Sequence, residues 1–247
     1  MIQFKGLVKK FGDRIVLKGL NLSVQKGEIL FILGTSGTGK SVLLKNLMGL
    51  MKPDAGQIWI EGEEVSSFSE EQYLPIRRKC GLVFQQPALF DSLTVFENIA
   101  FGIRRHTKDS EQEIQKKVTK ALGLVHLKNI ENKFPSQLSY GMQKRVSLAR
   151  TIALEPKVLL FDEPTTGLDP VTTSAINQLI LELSRNLKTT SIVVSHDMRC
   201  ALDIADRIIV MDQGSIIEIG TPEELKKSQV SLVKDFLSEV LEKEARQ

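Results

Sequence analysis

Apolar positions in the first third of the chain come in short runs, IQFKGLV, IVLKGLNLSV and EILFILG, divided by Gly12-Asp13 and Lys26-Gly27. Runs of this length bounded by turn-forming pairs predict three strands. GQIWIEGEEV predicts a hairpin turning at Glu61-Gly62. Between them, Leu43, Leu44 and Leu47 fall at helical spacing, so a helix over Lys40 to Met48 should follow directly on a strand and a glycine-rich loop. From about Ser110 the period changes. EQEIQKKVTKALGLV places Ile114, Val118, Ala121 and Leu122 on one helical face, and GMQKRVSLARTIAL continues the helical pattern up to Pro156. This middle block reads as a helical subdomain.

KVLLFDEP is an unbroken apolar run ending in acids, the pattern of a strand covered on both faces. Ile176, Leu179, Ile180, Leu183 and Leu187 then mark an amphipathic helix, and TSIVVSH returns to a buried strand, which makes a βαβ unit. RIIVMDQGSIIEIG predicts a hairpin at Gln213-Gly214. TPEEL opens a last helix, with Thr221 as N-cap, Pro222 at the first position and Glu224 closing a capping box. No internal repeat or low-complexity linker interrupts these elements.

Composition narrows the class. The 247 residues are 42% hydrophobic, enough for one large domain with a proper core. With 33 basic and 30 acidic residues the net charge is +3, and no block of like charge makes a case for nucleic acid or anionic lipid. The two cysteines, Cys80 and Cys200, are distant and form no CxxC pair, which predicts free core thiols in a reducing compartment. MIQFKGLVKKFG has no signal-peptide core, and ILFIL and VLLF are far too short to span a bilayer. These features predict a cytoplasmic location.

The chemistry starts at GTSGTGKS, Gly34 to Ser41, which fits the P-loop pattern between a strand and a helix. Its residues, Gly34, Thr35, Ser36, Gly37, Thr38 and Gly39, let backbone amides converge on phosphate oxygens. Lys40 would neutralise β/γ-phosphate charge and Ser41 would offer a hydroxyl to Mg²⁺. VLLFDEP delivers two adjacent carboxylates at the end of an apolar strand. Asp162 would hold Mg²⁺ through water, and Glu163 would orient and polarise the attacking water, because phosphoryl transfer depends chiefly on positioning and charge neutralisation.

The ordered set GTSGTGKS, VFQQPALF, LSYGMQKR, LLFDEPTTGLDP and IVVSHD resembles the ATP-binding cassette ATPases, the motor subunits of ABC transporters, from about residue 2 to 225. The resemblance implies an α/β P-loop NTPase fold with a RecA-like core, an antiparallel β subdomain and an inserted α-helical subdomain. It divides the chain into a core with β subdomain over 1–85 and 156–225, a helical signature subdomain over 86–155, and a C-terminal helix over 226–247. It makes Gln85 the Q-loop glutamine that senses Mg²⁺ and water, Asp169 the D-loop aspartate and His196 the switch histidine on the γ-phosphate. Phe11 takes the place of the aromatic residue that stacks on adenine. The family often has a second hydroxyl residue after Ser41; this chain has Val42, whose backbone amide can still donate.

In LSYGMQKR, Ser139 and Gly141 are retained, while Tyr140 replaces a glycine and Met142 a glutamine. In the family this segment starts a helix whose N-terminus docks on ATP held by a second copy, so the resemblance implies a head-to-tail dimer. The Gly-Met signature followed by Lys-Arg, with DPVTTSAI and VSLVKDFLSEVL, is similar to the subgroup that drives phospholipid transport with Mce-domain proteins. That subgroup implies an integral-membrane permease and an Mce-domain lipid-binding protein as partners, no nucleic acid, and a place on the cytoplasmic face of the inner membrane. An amino-acid or other small-solute importer ATPase shares VFQQ and LTVFENI and stays open as an alternative. A soluble ABC protein acting on ribosomes or DNA would bring tandem cassettes or a coiled-coil insertion. The apolar stretch QQPALFDSLTVFENI, with Leu89, Phe90, Leu93 and Phe96, predicts either packing into the helical subdomain or a surface for a partner.

Overall fold

Alternating and continuous apolar runs build two compact units in a computed structural model that describes residues 1–245. One unit comprises Met1–Ile76 with the stretch from Thr190 onward; the other comprises Arg77–Thr189.

In the first unit, β1 (Ile2–Phe11), β2 (Arg14–Val24), β4 (Ala55–Ile60) and β5 (Glu63–Glu64) form an antiparallel sheet in the order β2-β1-β4-β5. Ile2 lies opposite Val24 on one side and Ile60 on the other, so the buried side chains share one face. The register of β1 shifts on both sides between Lys5 and Leu7, around Gly6. At this irregularity Gly56 approaches so closely that a Cβ on it would lie 2.3 Å from the Gly6 carbonyl oxygen.

The same unit holds β3 (Ile29–Leu33), flanked by β8 (Thr190–Ser195) and β9 (Arg207–Asp212), both parallel to it. β10 (Ser215–Gly220) closes the edge antiparallel to β9. All five residues of β3 are buried, each contributing about 1.5–3 kcal/mol for removing its side chain from water. That burial anchors the loop that follows. α1 (Lys40–Leu47) starts directly after it, with Leu43, Leu44 and Leu47 buried. α7 (Met198–Ile204) packs against β3 and against α9 (Ser231–Ala245).

In the second unit, β6 (Cys80–Val83) runs parallel to β7 (Val158–Asp162), pairing Cys80 with Val158 and Val83 with Phe161. α3 (Val95–His106), α4 (Glu111–Leu124) and α5 (Tyr140–Ile152) pack on one another, and α6 (Pro170–Asn186) follows β7. The predicted faces of α4 and α6 are buried at Ile114, Val118, Ala121, Leu122, Ile176, Leu179, Ile180 and Leu183. Leu187 is only half-buried, because α6 ends there as its C-cap. Both cysteines are buried and free.

Four elements depart from the sequence pattern. α2 (Glu70–Lys79) carries Pro75 inside it and buries only Tyr73 and Ile76, so it has almost no apolar stripe. β6 is four residues long, and α3 begins inside the apolar stretch QQPALFDSLTVFENI, for which no helix was predicted. The helix opened by Thr221 stops as α8 (Pro222–Leu225), four residues, rather than continuing. Buried Ser228 explains the break, because its hydroxyl donates to the Glu218 carboxylate and accepts from the Val230 amide at 3.1 Å. Of the tail helix expected over 226–247, Arg246 and Gln247 lie outside the described residues.

Candidate functional site

Each unit carries its own share of the predicted residues. In the first, the loop Gly34 to Gly39 joins the end of β3 to the start of α1. Gly39 is the N-cap, at φ 103°, and a Cβ there would lie 2.8 Å from Leu17 Cδ2 and 2.9 Å from the Val16 carbonyl oxygen. Glycine is therefore required by backbone and by space. It has no side chain to cap the helix, so no side-chain cap competes with an anion at the first turn of α1.

Lys40 is buried, and its ammonium folds back along the loop to donate to the carbonyls of Gly34 at 2.7 Å and Thr35 at 2.9 Å. The Thr38 hydroxyl donates to the same Thr35 carbonyl at 3.0 Å. The loop is thus held as an open ring with its lysine inside. A cleft of about 340 Å³ opens beside it, lined by Thr35 to Thr38, Arg14, Val16, Lys18 and the Gln213-Gly214 turn. Arg14 and Lys18, set against Asp212 in the same lining, leave a positive surplus that the motif does not contain.

Phe11 ends β1 and is 46% exposed, with the Lys9 ammonium 5.5 Å from its ring centroid. It is not a core residue. His196 follows β8 and is exposed, just before Asp197, which caps α7 by accepting from the amides of Arg199 and Cys200. Ser41 and Val42 occupy the first turn of α1.

In the second unit, β7 delivers Asp162 and then Glu163, both half-buried. Glu163 sits at φ 51°, a left-handed conformation that costs a non-glycine residue about 1–2 kcal/mol. The Thr166 hydroxyl donates to its carboxylate at 3.1 Å, which fixes the side chain above the turn. Asp169 caps α6, accepting from the Thr172 hydroxyl at 2.5 Å and the Thr172 amide at 3.0 Å. The hydroxyl above all, then the amide, hold its pKa below the ordinary aspartate value.

Ser139 caps α5, its hydroxyl accepting from the Met142 amide at 3.3 Å. Gly141 has room for little more than hydrogen, since a Cβ would lie 2.9 Å from Thr172 Cγ2. Gln85 lies in an exposed loop after β6. Its carbonyl accepts from the ammonium of Lys144.

The second unit therefore gathers Gln85, Ser139, Gly141, Asp162, Glu163 and Asp169, and the first gathers Phe11, the P-loop residues and His196. Sequence reasoning missed the groups that hold the loop after Gln85. Asn98, fully buried, accepts from the Phe90 amide at 2.8 Å and donates to the carbonyls of Phe90, Leu93 and Thr94. Arg150 donates to the carbonyls of Ala88 at 2.7 Å and Pro87 at 3.3 Å. For Asn98 the only signal was a polar residue inside an apolar helical stretch, and for the half-buried Arg150 there was none.

The sequence profile of the family described as ABC transporter matches residues 17–166. The chain belongs to the ABC transporter family. It is 42% identical over 237 residues to the intermembrane phospholipid transport system ATP-binding protein MlaF of Haemophilus influenzae, covering 96% of this chain and 90% of that one. The probable ribonucleotide transport ATP-binding protein mkl of Mycobacterium leprae is 39% identical over 96% of this chain and 68% of its own length. The sulfate/thiosulfate import ATP-binding protein CysA of Bradyrhizobium diazoefficiens is 41% identical over 98% and 70%. Among solved structures, cbiO1 of Clostridium perfringens, part of the ABC transporter complex cbiONQ, superposes with TM-score 0.86 at 35% identity, covering 92% of this chain and 91% of that one. The dimeric, post-hydrolysis ATP-binding cassette MJ0796 bound to ADP and Pi gives 0.82 at 33% identity, covering 90% and 99%. The fold is that of an ABC ATPase cassette, and the chain is the ATP-binding, ATP-hydrolysing subunit of an ABC transporter. Among the described residues, no helix is long and apolar enough to cross a membrane.

Proposed function

We propose that this ATPase drives phospholipid transport between membranes, working with an integral-membrane permease and an Mce-domain protein on the cytoplasmic face of the inner membrane. The observation that carries this reading is the likeness to MlaF, which extends over nearly the whole of both chains. The Gly141-Met142 signature followed by Lys144-Arg145 supports it.

In this reading the α1 amides, Lys40 and Ser41 receive the triphosphate, with Val42 contributing its amide, and Phe11 stacks on adenine. Uncapped amides beside a buried lysine fit a polyphosphate, and the hydroxyl of Ser41, the Asp162 carboxylate and the Gln85 amide are hard oxygen donors that fit Mg²⁺. The metal would neutralise charge on the β- and γ-phosphates. Glu163, held by Thr166, orients and polarises the attacking water, His196 grips the γ-phosphate, and Asp169 is the D-loop aspartate. Ser139 and Gly141 at the start of α5 present amides to ATP bound by a second copy, because one chain has one P-loop and one signature helix.

A second reading has its own support. The likeness to CysA, over 98% of this chain, favours a small-solute importer. Purification of the tagged chain from detergent-solubilised membranes decides between them: an Mce-domain protein among the stoichiometric partners supports lipid transport, and a permease without one, stimulated by a solute-binding protein, supports import.

A further inference from the structure

Three side chains of α5 reach four consecutive residues after β6. The Tyr140 hydroxyl donates to Gln86 Oε1 at 3.2 Å, the Lys144 ammonium donates to the Gln85 carbonyl, and Arg150 donates to the carbonyls of Pro87 and Ala88. Tyr140 and Lys144 are one helical turn apart, and the ammonium lies 5.4 Å from the tyrosine ring centroid, within cation–π range.

Lys144 is 3% exposed. Burial pushes its pKa down, and the negative charge of Glu163 pushes it back up. A buried ammonium is expensive, and an apolar residue of similar volume would serve packing alone equally well. The cost points to a task other than packing.

We propose that Lys144 is a positioning residue for ATP hydrolysis: it ties the Gln85 backbone to the signature helix through a buried, charged donor, with Tyr140 as its brace. This rests on the roles given above to Gln85 and Glu163. Nucleotide binding belongs to the P-loop, so loss of Lys144 should lower turnover and spare affinity.

The test measures kcat, KM, equilibrium ATP binding and thermal midpoint on the full-length chain. Lys144→Met should lower kcat about tenfold or more with KM and ATP affinity within about threefold, the pattern of an interaction that matters to the transition state alone. Lys144→Arg, which keeps charge and donor, should recover kcat to within about threefold of the parent, and Tyr140→Phe should fall between Lys144→Met and the parent. Should Lys144→Met lose its fold, Lys144→Gln, which keeps a donor without the charge, decides: low kcat at the parent midpoint supports the proposal. Parent-like kcat in a folded Met or Gln variant overturns it, as does a joint fall of kcat, affinity and midpoint that arginine does not rescue. If both variants unfold, the lysine is structural and the proposal falls. Glu163→Gln run in parallel separates the two claims. If it hydrolyses ATP normally, the underlying site reading fails; if it is inactive while Lys144→Met is normal, only the lysine's role fails.

Discussion

Glu163 adopts a left-handed backbone conformation immediately after a buried strand, with Thr166 holding its carboxylate. Strain of this kind persists where surrounding structure over-determines it, and it aims the side chain rather than stabilising the chain. Glu163→Gln should keep ATP binding and lower the hydrolysis rate by about a hundredfold or more, as expected for loss of a water-activating carboxylate. Comparing single-turnover hydrolysis with equilibrium binding checks this. Lys40→Ala should instead weaken nucleotide binding itself, and unchanged ATP affinity would remove the lysine from that role. A third residue-scale expectation concerns Gly56, at φ 85° against the Gly6 backbone. Gly56→Ala should lower stability by about 1–3 kcal/mol, read as a drop in denaturation midpoint, because neither conformation nor space accepts a Cβ.

At the scale of elements, α3 and the loop before it are joined by one side chain. Asn98 makes four hydrogen bonds from inside the protein, and Asn98→Leu would leave the Phe90 amide and three carbonyls to find other partners. The cost should be about 1–3 kcal/mol or more, with faster amide exchange at Phe90 than in the parent. α4 was legible because its stripe, its Ser110 cap and Glu113 three residues on agree, and its capping box is complete. α3 was not, although its Thr94 cap and buried Val95 and Ile99 are present in LTVFENI, with buried Ile103 one turn further on. Its apolar face merges with Leu89, Phe90 and Leu93, which belong to the loop, so the helical period starts inside a longer apolar run. α2 failed for the opposite reason: Pro75 and five charged residues hide a helix with two buried positions.

For the whole molecule, the exposed aromatic residues bear on assembly. Phe90 and Phe101 are 45% and 48% exposed with ring centroids 5.2 Å apart, so the stretch read as core or partner surface divides. Leu89, Leu93 and Phe96 are half-buried, and Phe90 faces solvent. Exposed aromatics next to the Gln85 loop fit a permease contact. Phe90→Asp should leave the thermal midpoint within a few degrees of the parent, since a surface substitution changes stability by about 0.5 kcal/mol or less, and should release the chain from membranes in a flotation assay. Retained membrane binding would place the contact elsewhere.

P-loop spacing pointed to a phosphate site, and the resemblance of the ordered motifs pointed to the family, because phosphate recognition requires a strand, a glycine-rich turn and a helix N-terminus that are contiguous in the chain. The α4 and α6 stripes, the hairpins at Glu61-Gly62 and Gln213-Gly214, and the Ser139 and Thr221 caps are equally local, and all are present. Tertiary structure alone decided what Tyr140 and Lys144 do. Neither has a partner nearer than 54 residues in the hydrogen bonds they make to Gln86 and Gln85, and no helical period records such a distance. It also decided that Phe11 is exposed and that Ser228 ends a helix through Glu218. Local periodicity carries burial and capping, whereas a buried charge acquires meaning only from what folding brings against it.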